Sequence, residues 1–160
     1  MEVVLGVNGI EALRREIKKY EAFMATGVNK IAERLAIIAE EVMLSLIPQG
    51  EIDGNISGIV TREPIVDGQR ISYEGEDVAY IEFGTGIVGA ESPHPKSSEF
   101  EWHYDINQHG WKGWYYTHKL TGEIAFSVGI PPISPVYDTA REIQKRAVEI
   151  ISEVIDEEFS

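Results

Sequence analysis

The chain contains no cysteine, which excludes disulfides, thiolate metal sites and a cysteine nucleophile. Its core must hold without covalent staples, as suits assembly in a reducing cytoplasm. Long apolar runs are missing too. No stretch approaches the roughly 20 residues that span a bilayer, and Met1-Glu2-Val3-Val4-Leu5-Gly6 lacks the basic start and apolar run of a secretory signal. The expectation is a soluble protein made without export. Basic charge is scarce, with 14 Lys and Arg against 27 Asp and Glu and a formal charge of −13. Such a surface repels phosphate backbones and anionic headgroups, so neither nucleic acid nor a membrane is an expected partner. The charge serves solubility, or an acidic interface that meets a basic partner.

What is present suits a single domain over 1–160, large enough to bury about two-thirds of its unfolded surface. Residues 2 to 7 are expected as a short strand. Asn8 then stands as N-cap of a helix carrying Ile10, Leu13, Ile17 and Tyr20 at three- and four-residue spacing. Thr26-Gly27 is expected to interrupt it. The pattern resumes with Ile31, Leu35, Ile38 and Val42, opposite Glu33, Arg34, Glu40 and Glu41, until Pro48 and Gly50 end it. A stripe of this length needs a sheet or partner helix to cover it. At the other end, Ser134 is placed as an N-cap and Pro135 as the first helical residue. Tyr137, Ala140, Ile143, Ala147, Ile150, Ile151, Val154 and Ile155 continue that helix as one apolar stripe.

Between the helices, Asp67-Gly68 sits between Ile65-Val66 and Arg70-Ile71-Ser72-Tyr73, a hairpin signal because a type I′ turn needs positive φ at both central residues. After Gly75-Glu76-Asp77, Ala79, Ile81 and Phe83 alternate with Val78, Tyr80 and Glu82, which predicts a strand and a three-stranded meander. Residues 52 to 61 are expected as a further strand or a loop. Glu123 to Val128 predicts one more strand, followed by an extended Gly129-Ile130-Pro131-Pro132-Ile133. The expected architecture is α+β, with N-terminal amphipathic helices and a C-terminal helix packed on a central antiparallel sheet. Gly84-Thr85-Gly86 closes the 78–83 segment with a turn that uses two glycines. A phosphate cradle would open onto a helix with a Lys or a third glycine. Here the turn leads into Ile87-Val88-Gly89 and a proline-rich stretch, so a structural turn is favoured.

Residues 90 to 122 form an aromatic-rich loop insertion. All three tryptophans, Trp102, Trp111 and Trp114, lie in it, and residues 100 to 116 hold 7 of the 15 aromatics. Rings at that density must be packed, either back on the sheet or under another subunit. The same region carries His94, His103, His109 and His118 with Glu101 and Asp105. Their spacing lacks the His-Glu-x-x-His form of a helical zinc site, and a loop-built site stays open. Asn55-Ile56-Ser57-Gly58 lacks the first glycine of a Gly-x-Ser-x-Gly nucleophile elbow, and no two carboxylates stand out as a catalytic pair.

The order of these parts is similar to a known family. A long N-terminal helix pair ends near Ile47-Pro48, Ala79-Tyr80-Ile81-Glu82-Phe83-Gly84-Thr85-Gly86 follows, and Gly129-Ile130-Pro131-Pro132 leads into Tyr137-Asp138-Thr139-Ala140. The chain resembles the tail-component family of long-tailed bacteriophages and prophages, whose members act in the neck, in tail completion or in head-tail joining. The likeness spans nearly the whole chain and extends to Ser92-Pro93-His94-Pro95 and His109-Gly110-Trp111-Lys112-Gly113-Trp114. It departs at Pro48 to Ser57, where only the outline of the family's segment remains, and at Ile133-Ser134-Pro135-Val136, where the usual aromatic is missing. The resemblance implies a virion structural protein rather than an enzyme, with no cofactor, assembled in the host cytoplasm and located at the head-tail neck or tail. Its implied partners are its own subunits in a ring, hexameric in one reading, and the tail tube, tail terminator and head-closure or connector proteins. Subunit contacts are expected at Phe83, Gly84, Thr85, Gly86, Trp102, Trp111 and Trp114. The alternatives are a small metal-dependent hydrolase built on His94, His103, His109 and His118, and a ligand-binding domain with the tryptophan-rich loop as its platform.

Overall fold

A computed structural model describes residues 7–47, 58–66, 68–106, 113–118 and 121–159. The element order is α1 (Val7–Leu46), β1 (Ile59–Ile65), β2 (Gly68–Glu74), α2 (Val78–Phe83), α3 (Gly86–Glu91), β3 (Trp114–Thr117), β4 (Ile124–Ser127) and α4 (Pro135–Phe159). The class is α+β, with helices at both ends. The strands form two separate two-stranded antiparallel sheets, β1-β2 and β3-β4, in place of one central sheet.

Three local expectations are corrected. First, α1 runs unbroken through Thr26-Gly27 for 40 residues, about 60 Å at 1.5 Å per residue. One glycine costs a helix only about 1 kcal/mol, and here the Phe23 ring lies where a side chain at Gly27 would stand. Second, Val78–Phe83 is a helix, so no three-stranded meander forms. Short apolar runs do not separate the two periods, and burial follows the helical one: Ile81 and Glu82 are buried, Val78 and Phe83 half-buried, Ala79 and Tyr80 exposed. Third, the pairing Ile65↔Gly68 starts the hairpin turn at Val66, one residue before the expected pair; Asp67 lies outside the described residues. So do residues 2–6 of the strand expected over 2–7, the helix stop at Pro48 and Gly50, and Asn55-Ile56-Ser57, whereas Val7 and the expected N-cap Asn8 already belong to α1. The Glu123–Val128 strand is present as β4, and it pairs with β3 inside the aromatic segment through Tyr115↔Phe126.

The core gathers Met43 of α1, Tyr73 of β2 and Ile81 of α2, with Ile47, Val60, Ile71, Val78 and Ile133 packed around them. The C-terminal half of α1 thereby covers the β1-β2 hairpin, which it also meets through an Arg62–Glu40 ion pair of 2.8 Å. Along its middle, α1 packs on α4, burying Ala36, Ala39, Ile150 and Val154. The two helices run antiparallel. Phe159, at the end of α4, stacks on Tyr20 at 4.6 Å and meets Phe23 edge-on at 5.2 Å, and Lys30 pairs with Glu158. Among the described residues no helix is long and apolar enough to cross a membrane.

Candidate functional site

Glu82 is the one charged residue in the Val78–Phe83 run and is only 7% exposed. Its carboxylate stands at the N-terminus of α4, accepting the Val136 N–H at 2.9 Å on Oε2 and the Tyr137 N–H at 3.0 Å on Oε1. The first turn of α4 is then fully accounted for, since Pro135 has no N–H and the Asp138 N–H reaches the Ser134 carbonyl at 2.9 Å. A carboxylate here also faces the positive end of the helix dipole. Ser134, expected as the cap, instead donates its hydroxyl to the Glu82 carbonyl at 3.3 Å with its own φ at 58°. The helix start is recognised correctly, and its cap comes from another helix.

His94 closes the other side of this carboxylate and is 3% exposed. Its Nδ1 accepts the Lys96 N–H at 3.1 Å, which leaves the proton of the neutral ring on Nε2. Nε2 lies 3.2 Å from Glu82 Oε1 but off the direction of a well-formed hydrogen bond. The approach is therefore electrostatic and polar rather than a directed bond. The ring edge also packs on Phe83 at 4.6 Å and on Tyr137 at 5.1 Å, and the His94 N–H donates to the Tyr104 hydroxyl at 2.9 Å.

The Gly84-Thr85-Gly86 turn is stitched to the chain's own 128–133 segment. Gly84, at φ 76°, ends α2 with its N–H on the Tyr80 carbonyl. Thr85 donates its N–H to Ile130 O at 2.9 Å and accepts the Ile130 N–H on Oγ1 at 3.2 Å. Ile87 donates to Val128 O at 3.0 Å and Ile133 to Ile81 O at 2.9 Å. Gly129, at φ 100°, lies so close that a Cβ would overlap Thr85 O. Trp102 folds back over this corner, donating Nε1–H to Gly84 O at 3.1 Å and stacking on Phe83 at 5.1 Å. Trp114 is half-buried beside Gly86.

Of the seven residues expected at a subunit contact, the structure thus brings Phe83, Gly84, Thr85, Gly86, Trp102 and Trp114 together, and it gives them partners within the chain. Trp111 lies outside the described residues, as does His109. Of the other histidines, His94 is engaged with Glu82, His118 accepts the Thr121 N–H on Nδ1 at 3.2 Å, and His103 is exposed. Among the described residues no three His, Asp or Glu side chains converge on a metal-sized site.

The large apolar side chains left in solvent fall into separate patches. Along the N-terminal part of α1 they are Ile10, Leu13, Ile17, Tyr20, Met24 and Val28, with Leu44 exposed near its other end. On the β3-β4 hairpin they are Tyr115, Ile124 and Phe126, where Tyr115 is 75% exposed and packs on Phe126 at 4.9 Å. Sequence reasoning missed the capping role of Glu82. Two signals pointed to it: Tyr137 stands where a capping box would put an acid, and an acid interrupts an otherwise apolar run. No protein-family model, curated protein or solved structure matches the chain.

Proposed function

We propose that the protein is a structural virion component of a long-tailed phage or prophage, acting at the head-tail neck or in tail completion through protein-protein contacts in a ring. The observation that carries this reading is the exposed apolar surface on well-formed elements. Solvent reaches six large apolar residues along one side of α1 and three on the β3-β4 hairpin, and contiguous patches of that kind mark interaction surfaces. Two or more such patches on one small subunit fit a protein that touches several neighbours, and repetition around a symmetric ring multiplies weak contacts. The resemblance of the 79–86 and 129–140 segments supplies the class of assembly. Within this reading the Glu82 junction and the 84–86 corner hold the subunit together, and the exposed patches meet its neighbours.

The test is the mass in solution, by sedimentation, alone and mixed with phage connector, head-closure and tail-tube proteins. A ring-sized mass, or a complex with one of those proteins, is the expected result. A strict monomer that engages none of them overturns the proposal.

A further inference from the structure

The exposed apolar residues of α1 are spaced as a coiled-coil seam. Ile10, Leu13, Ile17, Tyr20 and Met24 alternate three and four apart, the a/d spacing by which one helix grips another, and Met24 is 73% exposed. The chain's own partner helix does not reach them all, because α4 ends with Phe159 on Tyr20 and Phe23. Residues 7–19 therefore extend past it for about 20 Å. Their charge is opposite to that of the rest of the molecule. Arg14, Arg15, Lys18 and Lys19 outnumber Glu11 and Glu16 there, in a chain whose formal charge is −13. Two such arms side by side would bring like charges together.

The complementary surface is on the outer side of α4. Val148 is 75% exposed and Ile155 37% exposed, seven residues apart and so on one face, with Glu149, Glu153 and Asp156 exposed beside them. From residue 149 to 158 the helix carries five acids and no base. We infer that the basic arm, residues 7–19 of α1, docks on the acidic outer face of the C-terminal part of α4, residues 148–158, of a second copy of this chain. The contact is heterologous, arm to face, so it propagates from subunit to subunit and closes into a ring if the rotation allows. This inference rests on the ring-subunit reading and names the surfaces that make its contact.

The absence of native cysteine makes a clean test possible. Ile17→Cys and Val148→Cys, each an exposed position, are purified separately as full-length chains, checked for unchanged helical content by circular dichroism, mixed and oxidised. The expected product is the Ile17–Val148 disulfide heterodimer, several-fold more abundant than either homodimer. Raising salt from about 0.1 M to about 1 M, which shortens the screening length from about 10 Å to about 3 Å, lowers its yield several-fold. Predominant Ile17→Cys homodimer overturns the inference in favour of arm-to-arm pairing. Absence of the heterodimer at every concentration also overturns it, as does a yield indifferent to salt. Failure of the wider reading looks different: there the connector and tail-tube proteins leave the mass unchanged, whatever the cysteine pair does.

Discussion

Met43 and Leu13 are both apolar positions of the same helix, yet Met43 is buried with Tyr73 and Ile81 while Leu13 stands in solvent. The C-terminal end of α1 meets the β1-β2 hairpin and α2, and its middle meets α4; the N-terminal end extends past Phe159 of that 25-residue helix. Spacing decides which side of a helix is apolar, and the lengths of the other elements decide how much of that side is covered. The same contrast holds between the Glu82 junction, where a charge is buried and fully engaged, and the arm, where apolar side chains are not. One region has its partners in the chain, and the other presents surface to a neighbour.

The largest expected effect is at the junction. Glu82→Ala removes both acceptors at the start of α4 and leaves the half-buried Val136 and Tyr137 amides without their charged partner, a loss of about 3 kcal/mol in denaturant unfolding. Glu82→Gln keeps one acceptor and should lose about half as much. A result within about 0.5 kcal/mol of wild type for Glu82→Ala would erase the contrast between the two regions. Next, Gly129→Ala forces a Cβ against Thr85 O at a φ of 100° and should cost about 2 kcal/mol or more. Gly68→Ala, with nothing within 4 Å of its Cβ, is its control and should be near neutral by thermal melting. Trp102→Phe keeps a ring over Phe83 but loses the bond to Gly84 O, about 1 kcal/mol. Smallest is Leu13→Gln in the arm, within about 0.5 kcal/mol by the same measurement, while self-association, followed by sedimentation, weakens.

Much of the framework was legible in the residues. The apolar stripes marked both long helices, Ser134-Pro135 marked the start of α4, the Asp67-Gly68 pair marked the β1-β2 hairpin to within one residue, and Glu123–Val128 marked β4. The 78–83 segment was misjudged because six residues satisfy period 2 and period 3.6 almost equally, and Ile81 with Glu82 goes inward only once α4 and the 130–133 segment are in place. The break expected at Gly27 ignored the Phe23 ring beside it. The expectation of Ser134 as the cap failed because Glu82, 54 residues earlier than Val136, is the stronger acceptor for a helix N-terminus.

By itself the sequence determined the local quantities: which helix faces are apolar, where chain direction reverses, and that the arm is basic in an acidic chain. These depend on side chains a few residues apart, whose mutual placement the backbone period dictates. Only the tertiary structure decided that Glu82 caps α4, that the 84–86 corner is bound to residues 128–133, and that the stripe of α1 is covered along its middle and C-terminal part but left open at its N-terminal part. Those are matters of which distant segments reach one another, and burial and hydrogen-bond satisfaction are settled by the whole assembly of elements rather than by any one of them.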